Sequence, residues 1–211
     1  MADRGCFITL EGLEGVGKTT NREHIETVLE KRGISVLVTR EPGGTDLGEQ
    51  LRHLLLHASS PVSAEAEFMM MAASRKQHVV EVIEPALSRG QWVLCDRFAD
   101  ASYAYQGGGR ELGLDVVAQL HKLMGIDLQP NLTFLLDMPI ADGLKRMAQR
   151  GKPDRIEKEK MDFFERARAA YLHQAKTQPE RVKLIDASQT LDAVQQQVSV
   201  VLNEFLDKHS G

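Results

Sequence analysis

The chain has 211 residues, 42% hydrophobic and 27% charged, enough for one sizeable core and too few to suggest several domains. A formal charge of -4, from 26 basic and 30 acidic side chains, argues against nucleic acid or an anionic membrane as partner, so an anionic ligand must be met by local positive groups. Cys6 and Cys95 both fall in apolar runs and are expected to be unpaired thiols, and no run approaches the roughly 18 to 20 apolar residues of a membrane span, so a cytoplasmic protein is expected.

In chain order, Phe7 to Glu11 reads as a first buried strand. It leads into Gly12-Leu13-Glu14-Gly15-Val16-Gly17-Lys18-Thr19-Thr20, which fits G-x-x-x-x-G-K-T between a strand and a helix. Glycines let backbone N–H groups turn toward a phosphate, and the start of the helix adds partial positive charge. Lys18 is expected to reach the β and γ phosphates, and Thr19 to ligate Mg²⁺. The helix from Thr19 to Arg32 carries Ile25, Val28 and Leu29 at helical spacing and stops at Gly33. Val36 to Thr39 is the second strand. His53 and His57 lie at i, i+4 in "HLLLH" without the Glu of a zinc-protease helix, so both are expected to be solvated.

Glu65 to Leu87 reads as one long helix. On it Phe68, Met71 and Arg75 share a face, which suits either a base and its polar edge or, on spacing alone, core packing with Arg75 reaching outward. Trp92 to Cys95 is the third strand and ends in Asp96-Arg97, so Asp96 stands where ligands gather in open α/β sheets and is the expected outer partner of Mg²⁺. Leu132 to Asp137 is the fourth strand, and Pro139 to Gln149 is a helix opened by proline. "RGKPDR", Arg150 to Arg155, breaks the pattern. A charge-rich helix from Glu157 to Lys176 follows, with its "KEK" and "RAR" stretches expected to face solvent, then a fifth strand, Val182 to Asp186, and a helix from Leu191 to Leu206. Five buried strands joined by helices imply an α/β fold with a parallel sheet covered on both faces.

A phosphate-binding loop serves switches, motors and kinases alike, so the reaction must be read from the remainder of the chain. Neither N-K-x-D nor D-x-x-G occurs, which disfavours a GTPase switch, and the loop does not read as a nicotinamide dinucleotide fingerprint. An acceptor kinase needs a second anionic pocket, for which arginines are the natural lining.

In this order, "EGLEGVGKTT", "TREPGGT", "AASR", "DRFADASYAYQGGGR" and "DRIEKEKMDFFERARAAYL" resemble the thymidylate kinase family, in its bacterial form, over nearly the whole chain. The resemblance implies a P-loop kinase fold with a five-stranded sheet, a lid at about residues 146–157 and a homodimer; it also implies phosphorylation of dTMP to dTDP by ATP with Mg²⁺. It implies that Glu14 meets the 3′-hydroxyl of the substrate sugar, that Arg97 holds the acceptor phosphate and that Arg75 lies near the thymine edge. Ser102, Tyr105 and Gln106 then line the same pocket, with Pro42 and Arg52 at its other wall, and "DAS", Asp186 to Ser188, lies beside adenine. Met71 stands where family members commonly carry phenylalanine, so Met71 and Phe68 are both candidates to pack on thymine. The loop has no arginine between its glycines, and Arg150 in the lid is the match for the catalytic cation, with Arg146 and Arg155 as alternatives. Alternative functions are a deoxynucleoside kinase, which needs a base beside a neutral hydroxyl, and a non-catalytic ATP-binding regulatory protein.

Overall fold

The computed structural model describes residues 4–149 and 153–209, so Arg150 lies outside the described residues. Five strands, β1 (Phe7–Glu11), β2 (Val36–Arg40), β3 (Trp92–Asp96), β4 (Leu132–Asp137) and β5 (Val182–Asp186), form one parallel sheet in the order β2-β3-β1-β4-β5. Side chains alternate across a strand, and in the central strands β1, β3 and β4 both faces are covered, so their positions need apolar or paired groups. Thus Val93 and Cys95 enter one core and Leu94 the other. Within the sheet, Thr9 and Thr133 satisfy each other at 2.7 Å.

The helices are α1 (Lys18–Lys31), α2 (Asp46–His57), α3 (Ala64–His78), α4 (Glu84–Ser88), α5 (Ala99–Ser102), α6 (Leu114–Leu123), α7 (Ile140–Ala148), α8 (Met161–Thr177) and α9 (Leu191–His209). The expected single helix from Glu65 to Leu87 is α3 and α4 joined by a π-helical turn, Val79–Ile83. Pro85 supplies the reason. Its ring excludes an ordinary turn against the preceding carbonyls, and the widened turn carries the Glu84 N–H to the Val79 carbonyl instead. A second π-helical segment, Tyr103–Gly109, extends α5 and carries Tyr105 and Gln106.

The charge-rich helix begins at Met161 rather than Glu157, after turns over residues 155–158. Its "RAR" stretch is only partly solvated: Arg166 donates to the Gly109 carbonyl, and Arg168 pairs with Asp137 at 2.6 Å. The opposite face of α8 buries Phe163, Phe164, Ala167 and Tyr171. His53 and His57 are exposed, as expected of a pair without the Glu of a zinc-protease helix. No helix among the described residues is long and apolar enough to cross a membrane.

Candidate active site

Because all five strands are parallel, the chain leaves β1, β2 and β3 at the same edge of the sheet. There Glu14, Gly15, Gly17, Lys18 and Thr19 after β1, Glu41 and Pro42 after β2, and Asp96 and Arg97 at the end of β3 line one cavity of about 230 Å³, with Met71, Tyr105 and Gln106 on a further wall.

The loop after β1 has the geometry its glycines suggest. Gly15 lies at φ +76°, and a Cβ there would stand 2.1 Å from the Gly143 carbonyl oxygen on α7, so a side chain is excluded both by conformation and by space. Gly17 opens α1 with no side-chain cap, whereas Thr45 and Ser63 cap α2 and α3. The first N–H groups of α1 are therefore left for an anion at the cavity. Lys18 is held by the Gly12 and Leu13 carbonyls at 3.1 and 2.9 Å. Burial, and then the charge of Arg97, lower its pKa to about 8. Leu13 and Val16 turn into the core, and Thr20 is exposed beyond the cavity lining.

Arg97 follows β3 in the left-handed region, at φ 69°. That turn aims it back over the loop: Nη1 donates to the Gly12 carbonyl at 3.0 Å and to Tyr171 Oη at 3.3 Å, and Nη2 donates to Glu14 Oε1 at 2.8 Å. Its guanidinium also lies 4.8 Å from the Tyr105 ring centroid. Burial works against its charge, but Tyr105, Glu14 and Tyr171 hold its pKa above the ordinary arginine value. Glu14 Oε1 further accepts the Tyr105 hydroxyl at 2.7 Å, while Glu14 Oε2 is buried with no partner among the described residues. Asp96 Oδ1 is likewise buried and unpartnered. Two unmet acceptors beside a lysine, an arginine and an uncapped helix start suit a hydroxyl donor and a hydrated cation. Thr19, in the first turn of α1, also lines this cavity. No cluster of three or more His, Cys, Asp or Glu side chains suited to a metal occurs among the described residues.

The long-helix candidates separate. Met71 lines the cavity, whereas Phe68 turns away from it into a core with Ala72 and Val117, its ring edge-on to His121. Phe68 is thus a packing residue here, one helical turn from the cavity wall. Arg75 and Ser102 lie behind that wall. Arg75 is 2% exposed and donates to Glu41 Oε2 at 2.6 Å, Ser102 Oγ at 2.7 Å and the Phe98 carbonyl at 2.8 Å. Burial, with Arg75 beside it, lowers the His121 pKa to about 3, so His121 is neutral and accepts from Arg75 Nη1. Arg75 therefore braces Glu41, next to the lining residue Pro42. Arg52 lines the cavity and donates to the Pro42 carbonyl at 3.0 Å.

Sequence reasoning assigned no role to Glu11, Glu67 or Tyr171. Glu11 accepts the Phe98 N–H and the Tyr171 hydroxyl. Burial, and then the charge of Asp100, raise its pKa to about 8. A carboxylate ending an otherwise apolar strand was its only signal. Arg155, an alternative for the lid cation, is committed elsewhere: its N–H and Nε donate to the Leu56 and Leu55 carbonyls, and its Nη2 donates to Glu67. Arg146 is exposed on α7. The "DAS" turn follows β5 at the same edge of the sheet, with Asp186 and Ser188 exposed.

A family profile described as thymidylate kinase matches residues 10–198. The thymidylate kinase of Pseudomonas syringae pv. tomato is 50% identical over 208 residues, covering 98% of this chain and 99% of its own. That of Ectopseudomonas mendocina is 48% identical over the same span. Among solved structures, a thymidylate kinase from Ehrlichia chaffeensis superposes with a TM-score of 0.77 at 33% identity, covering 95% of this chain and 99% of that one.

Proposed function

The chain belongs to the thymidylate kinase family and phosphorylates dTMP to dTDP in dTTP biosynthesis, with ATP as donor, and from that premise we propose how its own residues divide the work. Donor phosphates lie on Gly15, Gly17, Lys18 and the start of α1. The acceptor lies between Met71, Tyr105 and Gln106, with its phosphate on Arg97 and its 3′-hydroxyl on the unpartnered Glu14 Oε2. The observation that carries this reading is Arg97 itself, a half-buried cation turned back over the phosphate loop and joined to both Glu14 and Tyr171.

A phosphate monoester has its second pKa near 6 and is largely a dianion at neutral pH, so the attacking oxygen needs no base. One acceptor oxygen bonds to the γ phosphorus as the bond to the bridging oxygen of ADP breaks. The difficulty is bringing two anions together, which is met by fixed charge and position. Asp96, through water, and Thr19 fit a Mg²⁺ ion that would neutralise donor phosphate charge when bound. Arg150, the match to the family's lid arginine, is assigned the charge on the transferring group, and this is supported by Arg155 being engaged with α2 and α3.

A homodimer is supported by Leu54, Met69 and Leu123, exposed on α2, α3 and α6 at 57, 58 and 83%. A cytoplasmic location agrees with the two free cysteines. Initial rates of dTDP formation test the acceptor assignment: dTMP should lead, dUMP should trail by the roughly 1–3 kcal/mol of one methyl group, and thymidine should be nearly inert. Equal kcat/KM for thymidine and dTMP would remove the role given to Arg97.

A further inference from the structure

Gln106 lines the cavity, yet its amide is not free to turn. Its Nε2 donates at 2.9 Å to Oε1 of Glu67, a fully buried carboxylate on α3. Glu67 Oε2 accepts Arg155 Nη2 at 2.7 Å and Arg110 Nη2 at 3.0 Å, and Arg110 Nε spans both oxygens at 3.2 Å. Burial alone would raise the pKa of this carboxyl, but the hydrogen bonds from Arg110, Gln106 and Arg155 hold it below the ordinary value. An ionised carboxylate accepts and never donates, so Gln106 must turn its NH₂ group toward Glu67. The other end of the amide, Oε1, is buried and without a partner among the described residues. The same Glu67 anchors Arg155, whose neighbours Asp154, Ile156 and Glu157 line the cavity.

We propose that Glu67 is a positioning residue that sets acceptor-base selectivity: by fixing the Gln106 amide, it presents a carbonyl oxygen to the cavity and selects a pyrimidine with an N–H at ring position 3 over one whose N3 is bare. Thymine and uracil carry that proton, and neutral cytosine does not. This rests on the cavity being the dTMP site. A structural brace alone would weaken every acceptor by one common factor. A selectivity device changes their ratio.

Kinetics of wild type and Glu67→Gln with dTMP and dCMP separate the two. The amide at position 67 keeps its carbonyl toward Arg110 and Arg155 and offers NH₂ to Gln106, whose own NH₂ then turns into the cavity. The ratio of kcat/KM for dTMP to that for dCMP should fall by about tenfold or more, mostly through the KM for dTMP, with the KM for ATP little changed. Loss of both acceptors by the same factor, or an unchanged ratio, overturns the proposal. Should Glu67→Gln melt out, Gln106→Met removes the amide and leaves the ion cluster; it should erase the preference, and retention of the full preference overturns the proposal equally. Failure of the wild type to phosphorylate dTMP would instead overturn the acceptor reading beneath it.

Discussion

Arg97 occupies a left-handed backbone conformation that costs a residue with a side chain about 1–3 kcal/mol, and its surroundings sustain it: the N–H bonds to the Leu10 carbonyl at 2.9 Å, and the guanidinium is held by Glu14, Gly12 and Tyr171. Lys18, a few residues along the loop, is charged below about pH 8 in the unliganded protein. The value of kcat/KM for ATP reports that free state, so it should fall as pH rises past about 8. Bound phosphates favour the ammonium, and kcat should therefore bend at higher pH. One alkaline limb shared by both profiles would contradict this. Met71 and Phe68 make a second residue-scale contrast. Met71→Ala should raise the KM for dTMP with little effect on ATP or on melting, whereas Phe68→Ala should cost about 3–5 kcal/mol of stability through the cavity it leaves. If thermal melts and dTMP titrations give the reverse assignment, the reading of this helix face is wrong.

The phosphate loop is an element whose form its sequence dictates, and Gly15 tests it. Gly15→Ala meets both the left-handed backbone and the Gly143 carbonyl, so loop and α7 must part; melting should drop and the KM for ATP should rise by about tenfold or more. Gly33→Ala is the control, because φ there is +73° with nothing among the described residues within 4 Å of a Cβ. It should lose only about 1–2 kcal/mol of stability and keep the KM for ATP. Equal effects of the two substitutions on ATP would show that Gly15 holds no phosphate. The central strands β1, β3 and β4 were legible because burial on both faces turns them into nearly continuous apolar runs, the edge strands β2 and β5 because they keep β-branched and leucine side chains between turns, and the loop because its chemistry is local. Helix α2 escaped although Thr45 caps it through the Gly48 N–H, because two solvated histidines and a glycine blur its apolar stripe. The π-helical turn after α3 was also missed: Pro85 was in plain view, but periodicity does not distinguish a widened turn from a continued helix.

At the scale of the molecule, the parallel sheet brings Glu14, which follows β1, together with Asp96 and Arg97 at the end of β3, and α3 and the Tyr103–Gly109 segment close the cavity over them. Motif order along the chain anticipated that convergence. The supports behind it were hidden, since Glu67 meets partners 39, 43 and 88 residues away and Tyr171 reaches Glu11 across 160. No local pattern records such pairings, and a buried arginine such as Arg75 reads in sequence like one that lines a pocket. In the proposed function Arg97 grips the acceptor phosphate at the mouth of the phosphate loop. Calorimetric affinities of wild type and Arg97→Gln for dTMP and for thymidine form a cycle that isolates that contact. The wild type should bind dTMP more tightly than thymidine, and the variant should lose about 1.5–3 kcal/mol toward dTMP while its affinity for thymidine barely changes, so that the two ligands converge. A variant that keeps the full advantage of dTMP over thymidine would contradict the account.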